Sequence, residues 1–393
     1  MPVSRWVRWV GAVVVALALA GCSVGAPDQS VTIEATSPGA VLGWAPVALP
    51  DGLEARTLTT LGDRLLVGAL RAGDPPAPAM VTVDAAGAAT SVPLTPASPY
   101  GSEARWYSVA TDGARVIAIG GANGGAHANV RWTTWAGTAA GVVELPQSFY
   151  TFGGWGAGDL VEAVVTPSGD ALVGSWGGAR AGLDTAVWTF ADRTWTRQDP
   201  GGTALESTLD LLAGPRGATV DGPGLLVTGS ALHLTPGPVR QTAALWRSPG
   251  VNTAWRRVDL PDAGTHSEAV SAHCPSPDAV CVVAGQVDGA LALWQLDGER
   301  AQRLIGIPRL AVGDQDPVPA PLAAGSTSLV VSPSGAGTTV LTGAPLGGDG
   351  PWRTSAGPGG RPLAAALVGD RLYVATRQQP GGPTSLWSAR WTR

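Results

Sequence analysis

Aromatic residues that could hold a ligand are concentrated in a few glycine-rich segments in the first half of the chain. Exposed aromatic rings on a concave surface stack on sugars or anchor a partner peptide. The alternative is that the same rings pack against one another as a small secondary core. The predicted binding face consists of Tyr100, Trp106, Phe149, Tyr150, Phe152, Trp155, Trp176 and Arg180.

Carboxylates and arginines occur in the same part of the chain and could catalyse hydrolysis. A pair of carboxyl groups can act as acid and base or nucleophile on a glycosidic bond, and arginines bind an anionic group of a substrate. A hydrolase hypothesis therefore requires that these side chains converge at one place. The candidates are Glu103, Arg105, Asp159, Arg180 and Asp184.

Other catalytic chemistries find little support in the residue pattern. The four histidines show no i, i+4 pair with a glutamate, so we expect no zinc hydrolase and no metal site. A chain without lysine cannot carry the lysine-containing phosphate loop, and no Gly-x-Ser-x-Gly elbow occurs between a strand and a helix. We expect no cofactor.

Composition indicates a folded protein that is rich in turns. Of 393 residues, 45% are apolar and only 14% are charged, which argues against disorder. The 55 glycines and 33 prolines make long helices improbable. The net charge of −5 and the absence of a basic run exclude a nucleic-acid partner. All basic residues other than histidine are arginine, which indicates G+C-rich codons, as in actinobacteria.

The N-terminal segment predicts where the protein resides. Arg5 and Arg8 precede an apolar run from Val10 to Ala20, about half the length that a membrane-spanning helix needs. The run ends in Leu-Ala-Gly-Cys22 and resembles a bacterial lipoprotein signal peptide with its lipobox. The resemblance implies cleavage after residue 21, a diacylglycerol on Cys22 and attachment to the outer side of the cell membrane. An ordinary secretory signal is the alternative.

Behind the signal peptide, the chain divides into a tether and one domain. Residues 22–41 are small, polar and punctuated by proline and glycine, which is typical of a flexible tether. Residues 42–393 form the predicted domain. Cys274 and Cys281 flank a Pro-Ser-Pro-Asp turn, and in an oxidising compartment we expect a disulfide there rather than two free thiols.

The domain is a repeat of about 55 residues. A short apolar stretch that ends in glycine recurs at steps of 52 to 58 residues, preceded each time by a turn signal and an apolar strand. The pattern predicts seven β-hairpins. The glycines are Gly68, Gly120, Gly174, Gly229, Gly285 and Gly343, and Ala375 takes the place in the seventh copy.

A third and a fourth strand complete each repeat and predict an all-β, seven-bladed β-propeller, with six or eight blades as alternatives. The last copy has room for only three strands, so we assign residues 42–50 as its fourth strand, which would close the ring. Six tryptophans on the third strands are the predicted wedges between blades: Trp132, Trp188, Trp246, Trp294, Trp352 and Trp387.

Two hairpins give the domain a family resemblance. The segments 246–255 and 188–195 resemble the Asp-box repeats of sialidase-like propellers. Ser248 and Trp255 keep the spacing of that motif, whereas Gly250, Asn252 and Ala254 replace its Asp, Gly and Thr. The resemblance implies the propeller architecture. It does not place the arginine triad, the tyrosine with its glutamate, or the aspartate that catalysis in that family requires.

The function that this pattern favours is a lipid-anchored, extracytoplasmic and non-catalytic binding or scaffold module. Its partners would be the membrane through Cys22 and an envelope protein or glycan at the aromatic face, and we expect a monomer. The alternative is a glycan-acting hydrolase or lyase of the sialidase-like type. The sequence leaves open whether the protein is an enzyme.

Overall fold

Seven sheets of mainly antiparallel strands are arranged as the blades of a β-propeller, which confirms the predicted fold. The computed structural model describes residues 39–124, 129–277, 279–343 and 351–391. The predicted signal peptide, Cys22 and all but the last three residues of the tether lie outside the described residues. No described helix is long and apolar enough to cross a membrane.

The strands follow one another along the chain in groups of four. The first part of the chain contains β1 (Ala45–Pro46), then blade one with β2 (Leu53–Leu61), β3 (Arg64–Arg71), β4 (Ala77–Val83) and β5 (Ala89–Ser91), then β6 (Leu94–Thr95) and the helix α1 (Pro99–Ser102). Blade two contains β7 (Arg105–Thr111), β8 (Arg115–Asn123), β9 (Val130–Thr138) and β10 (Gly141–Glu144), with β6 added parallel to β10. The helix α2 (Phe149–Phe152) leads to blade three, which contains β11 (Ala157–Thr166), β12 (Gly169–Gly177), β13 (Leu183–Ala191) and β14 (Thr194–Arg197).

The second half of the ring repeats this order. Blade four contains β15 (Leu211–Asp221), β16 (Gly224–His233), β17 (Arg240–Ser248) and β18 (Arg256–Asp259). Blade five contains β19 (Ser267–His273), β20 (Cys281–Val287), β21 (Ala290–Asp297) and β22 (Arg300–Arg303). Blade six contains β23 (Leu322–Ala324), β24 (Thr327–Ser334), β25 (Gly337–Gly343) and β26 (Arg353–Ala356), and blade seven contains β27 (Arg361–Val368), β28 (Arg371–Arg377) and β29 (Thr384–Arg390).

The N-terminal strand closes the ring. Strand β1 pairs antiparallel with β29, with Ala45 opposite Ser388 and Pro46 opposite Trp387. The Val47 amide adds a hydrogen bond of 2.8 Å to the carbonyl of Leu386. Residues near the start of the domain thus supply the fourth strand of blade seven, as predicted, and cover the outer edge of β29 that would otherwise be open.

The glycine of the repeat lies opposite a β-bulge in the first strand of its blade. Six first strands carry such a register shift. A Cβ on Gly229 would lie 2.0 Å from the carbonyl oxygen of Gly214, and one on Gly285 would lie 2.0 Å from that of Glu268. In blades three, four and five a Cβ at this place would overlap the backbone of the first strand, so steric exclusion explains the glycine there, whereas blade seven has Ala375 at the equivalent place. The extra residues at the bulges are Arg56, Tyr107, Val161, Arg216, Val270 and Leu363.

Blade six departs from the predicted register. Gly343 ends the third strand β25, and the hairpin between the first and second strands turns at Gly325 instead. Strand β23 is only three residues long and has no bulge. The turn-like Pro333-Ser334-Gly335 segment resembles the other first turns in sequence, which is why the pattern pointed to the wrong hairpin.

Three of the six predicted tryptophan wedges behave as expected. Trp188, Trp246 and Trp294 are fully buried, and each indole N–H donates to a carbonyl in the loop that precedes its own blade. In blade two this buried place belongs to Trp135, not to Trp132. Of the other two, Trp352 lies just before the fourth strand of its blade and Trp387 is partly exposed.

The disulfide between Cys274 and Cys281 is present, as predicted. It joins the end of β19 to the start of β20, and both sulfur atoms lie in the apolar cluster between blades four and five. Because both cysteines are oxidised, they cannot serve as thiolate ligands, although Asp221 lies close enough to form a three-residue group with them. Asp221 instead pairs with Arg247.

The Asp-box-like hairpin of blade four is tied by its own side chains. The Ser248 hydroxyl accepts from the Thr253 amide at 2.9 Å, and the Trp255 indole donates to Asn252 at 2.8 Å. Trp255 is buried. The hairpin joins a third to a fourth strand and therefore lies on the face opposite the loops that join consecutive blades.

The role of the repeat glycine can be tested in blade four. Gly229→Ala forces a methyl group against the bulged backbone, so we expect the free energy of unfolding to fall by about 1–3 kcal/mol. The matched control is Gly214→Ala, whose new Cβ would have its nearest neighbour at 3.7 Å. Urea unfolding followed by tryptophan fluorescence measures both. Equal effects of the two variants would contradict the steric explanation.

Candidate functional site

The first strands of the blades surround a central channel. Charged side chains from different blades face one another at the end of the channel where these strands begin. We call this end the channel mouth. It is formed by the starts of β2, β7, β11, β15, β19 and β27, on the face that carries the loops between blades. The polar bulged residues Arg56, Tyr107 and Arg216 lie at or before the middle of their strands on the side of this end, whereas the apolar bulged residues pack against the core.

Three arginines meet at the mouth between blades seven, one and two. We call Arg56, Arg105 and Arg377 the arginine cluster. Burial lowers the pKa of Arg56, and the positive charge of Arg377 lowers this pKa further. The negative charge of Glu54 raises the pKa, and the charge of Arg105 lowers it by a smaller amount. Glu54 pairs with Arg56 at 2.9 Å. Among the described residues, neither Arg105 nor Arg377 forms an ion pair.

The cluster also carries unused donors. The Nε–H groups of Arg56 and Arg377 are buried and have no hydrogen-bond partner among the described residues. A buried guanidinium donor without an acceptor costs free energy that an anion would recover. The arginine cluster is therefore suited to bind a carboxylate or another planar anion.

Tyr107 stands beside this cluster as the bulged residue of blade two. Its ring packs edge-on against Trp132, with ring centroids 4.8 Å apart, and nearly half of its surface is exposed. Burial raises the pKa of the phenol, the charge of Arg105 lowers it and that of Asp159 raises it. The net pKa is raised, so Tyr107 is protonated at neutral pH and acts as a hydrogen-bond donor or a stacking surface.

Glu162 in β11 is a carboxyl group that lies between neighbouring blades at this part of the channel. One oxygen accepts from the hydroxyl of Ser108 in blade two, and the other lies 3.9 Å from the place of a Cβ on Gly217 in blade four. The side chain therefore lies near residues of both neighbouring blades. Burial raises its pKa to about 7, against the opposing effect of the Ser108 hydrogen bond. Such a carboxyl group can hold and release a proton near neutral pH.

The other side of the mouth carries a paired network. Arg216 lies 3.5 Å from Glu268, and the His266 ring lies 2.9 Å from the carboxylate of Asp314. Burial raises the pKa of Glu268, the nearby Arg216 lowers it and Asp314 raises it. Gln286 donates to Asp314 at 3.3 Å. These charges largely satisfy one another, in contrast to the arginine cluster.

The predicted catalytic candidates converge only in part. Arg105 and Asp159 lie together around Tyr107. Arg180 pairs with Glu206 at 3.0 Å. Burial raises the pKa of Asp184 and the charge of Glu206 raises it further, so these residues form a separate group at the junction of blades three and four. Glu103 is exposed at the end of α1.

Sequence analysis missed three residues of the site: Arg56, Glu162 and Arg377. Glu162 could have been identified from the sequence, because it is a single carboxyl residue inside the apolar run Leu160–Val165 of β11. Arg56 precedes Thr57, the partner of the repeat glycine Gly68, and so sits where the bulge adds a residue. Locating the bulges would have identified it.

Two short helices position the predicted aromatic face. Ser98 caps α1 by accepting from the Gly101 amide at 2.9 Å, and Ser148 caps α2. The buried carboxylate of Glu144 holds the first loop by accepting from the amides of Ala97 and Ser98, at 2.6 and 2.8 Å, and from the Ser98 hydroxyl.

The predicted aromatic face divides into exposed and buried members. Trp106 and Phe152 belong to the core, contrary to the expectation that they line a surface. Trp176 is half-buried beneath the guanidinium of Arg197, and Arg180 is exposed. The members open to a ligand are Tyr100, Phe149, Tyr150 and Trp155.

Comparisons with known proteins bear on the fold and the class. No family model matches the chain, and no curated protein matches it. The β-propeller domain of the Trilobed protease from Pyrococcus furiosus, described as having an open velcro topology, matches with a TM-score of 0.50 at 9% identity, over 86% of this chain and 96% of that one. In contrast to that description, β1 closes the ring here.

Two peptidase structures are similar in the same way. Pyrococcus horikoshii acylaminoacyl peptidase matches with a TM-score of 0.50 at 11% identity, over 89% of this chain and 54% of that one. An acylaminoacyl peptidase in complex with Z-Gly-Gly-Phe-chloromethyl ketone matches with a TM-score of 0.52 at 10% identity, over 88% and 52%. The chain spans about half the length of these peptidases.

These neighbours contradict the interpretation of the chain as a non-catalytic binding or scaffold module. All three belong to proteases or peptidases, which agrees better with the hydrolase alternative. At 9 to 11% identity the similarity establishes the propeller fold, and the chemistry must be argued from the site.

The raised pKa of Glu162 predicts a pH-dependent stability. In the folded protein the Glu162 carboxyl group keeps its proton up to about pH 7, whereas in the unfolded chain it releases the proton near pH 4.5. The contribution of Glu162 to stability is therefore fully present below pH 4.5 and is lost as the pH rises through about 7. Glu162→Gln should therefore gain up to about 3 kcal/mol relative to the wild type between pH 5 and pH 8. Urea unfolding at the two pH values measures this. The exposed control Glu103→Gln should show no such gain, and a gain equal to that of Glu162→Gln would refute the assignment.

Proposed function

We propose that the chain is a hydrolase that acts on an acidic glycan at the channel mouth. The observation that carries the proposal is the arginine cluster. Three guanidinium groups lie near one another with a single carboxylate, Glu54, paired to one of them, and two buried Nε–H donors lack an acceptor. A sugar carboxylate would accept from these donors and reduce the repulsion among the arginines.

The residues around the cluster have matching roles in this proposal. Glu162, with a pKa of about 7, donates a proton to the leaving oxygen of the glycosidic bond. Asp159 beside Tyr107 supplies a second carboxylate at the mouth. The Tyr107 and Trp132 rings offer flat faces for a sugar. The sialidase-like resemblance of the hairpins supports a glycan substrate, and the peptidase neighbours support hydrolysis as the reaction class.

Fluorogenic glycosides test the proposal directly. The protein should release the fluorophore from a sialoside or a glucuronide faster than from the matched neutral galactoside and glucoside. Arg377→Gln should lower kcat/KM on the acidic substrate about 10- to 100-fold, because it removes a charge-assisted contact. Arg256→Gln, which removes an arginine from an exposed pair with Glu299, is the control and should not change the rate.

Two results would overturn the proposal. One is cleavage of an acylaminoacyl anilide without cleavage of any acidic glycoside, which would assign the chain to peptide hydrolysis. The other is acidic-glycoside cleavage that Arg377→Gln leaves unchanged, which would separate the arginine cluster from substrate binding.

We further propose that the protein is a monomeric lipoprotein of actinobacterial type, attached through Cys22 outside the cytoplasmic membrane. The lipobox pattern supports the attachment, and the disulfide supports an oxidising compartment. The Gly39 amide donates to Thr354, near the start of a fourth strand and thus on the face opposite the channel mouth. A tether that leaves there would direct the mouth away from the membrane.

Metabolic labelling tests the anchor. Cells that express the full chain and receive an alkyne-tagged palmitate should incorporate the tag into the wild-type protein and not into Cys22→Ser. The expected reason is that only a cysteine thiol at this place accepts the diacylglycerol. Persistence of the label in Cys22→Ser would contradict the lipobox assignment.

A further inference from the structure

A pocket of about 240 Å³ lies between blades two and three, beside the channel mouth. The loop with α1, the edge of β9 and the loop with α2 form its walls. Its volume is below the roughly 300–1,000 Å³ of sites that enclose drug-sized ligands. A single ring therefore fits the pocket better than a folded peptide segment.

Aromatic rings line this pocket on three sides. Tyr100, Trp132 and Phe149 come from three different segments of the chain. Tyr100 and Phe149 are partly exposed and present their rings to the opening. Flat apolar faces with polar atoms at their edges suit the C–H face of a pyranose ring, which is apolar on its face and carries hydroxyl groups around its rim.

The charges that line the pocket are already engaged. The Arg131 guanidinium lies 4.9 Å from the centroid of Phe149, and Glu144 accepts three hydrogen bonds from the loop before α1. Gln147 is also satisfied, since its amide donates to two carbonyls and accepts from the Trp195 amide. The pocket thus carries one cation and one anion, each with a partner, and suits an uncharged ligand.

The pocket is continuous with the channel mouth. Trp132 lines the pocket and also packs against Tyr107, which is adjacent to Arg105 and Asp159. The Trp132 indole therefore lies between the pocket and the channel mouth and contacts residues of both. A chain of sugars bound at the mouth would pass over this indole to reach the pocket.

We propose that this pocket is a subsite for a neutral pyranose of the same glycan whose acidic sugar binds the arginine cluster. The assignment to a substrate rests on the proposed function. It makes the substrate an oligosaccharide or polysaccharide with acidic and neutral sugars, rather than a single acidic glycoside. The pocket itself requires only a neutral ring.

Neutral oligosaccharides test binding at the pocket alone, because they carry no anionic group for the arginine cluster to bind. Titration of the full chain with hexasaccharides of β-1,4-linked N-acetylglucosamine and of β-1,4-linked glucose, followed by calorimetry, should detect saturable binding of at least one of them. Phe149→Ala should weaken it about 5-fold or more, because a stacking face is lost. Phe149→Tyr should restore it. Ile305→Ala, which removes an exposed apolar side chain outside the pocket, is the control and should bind like the wild type.

The outcomes separate this inference from the proposed function. Absence of binding of both hexasaccharides to the wild type, or equal weakening by Phe149→Ala and Ile305→Ala, would overturn the subsite. Circular dichroism of Phe149→Ala checks that its fold is intact. Loss of binding in Phe149→Ala together with no cleavage of acidic glycosides would support the subsite and overturn only the hydrolase assignment.

Discussion

The close approach of the second strand to the bulge of the first strand, which recurs in six of the seven blades, is the constraint on which the rest of the propeller depends. At Gly174, Gly229 and Gly285 the space for a Cβ is occupied by a bulged carbonyl at 2.0 to 2.3 Å. The bulge adds a residue to the first strand and strengthens its local twist. Repeated around the ring, this arrangement brings the first strands together at the channel and sets the side chains that face it.

The same constraint positions the candidate site. The bulge carries Arg56 in blade one and Tyr107 in blade two, and Glu162 directly follows the bulged residue in blade three. Side chains that lie about 50 residues apart in the chain therefore meet at one level of the channel. Burial at this level of the channel raises the pKa of Glu162 and lowers that of Arg56, and the neighbouring charge of Arg377 lowers the pKa of Arg56 further.

Buried tryptophans also join neighbouring blades, because their indole N–H groups donate hydrogen bonds to the loops between blades. The indoles of Trp188, Trp246 and Trp294 fill the space between sheets and donate to the preceding loop at 2.9 to 3.0 Å. Each tryptophan thus contributes apolar burial and also fixes the loop on the face of the channel mouth. One of these bonds, from Trp188 to the carbonyl of Thr151, holds the helix that carries Phe149 and so positions one wall of the pocket.

The sequence by itself determined the propeller, its seven blades, the closing strand and the disulfide. Each of these follows from local signals that repeat or pair at short range, such as glycine spacing, turns and two nearby cysteines. The register of blade six escaped this reasoning, because a turn-like Pro-Ser-Gly segment occurs at the second turn of that blade instead of the first.

Only the tertiary structure decided the site. Arg56, Arg105 and Arg377 belong to the first, second and seventh blades, and the ring closure that brings the last blade beside the first leaves no local trace at these residues. Exposure was equally beyond the sequence: Phe149 is open to solvent and Phe152, three residues later on the same short helix, is buried. The pocket and the channel mouth depend on contacts between blades, and such contacts arise only when the whole ring is assembled.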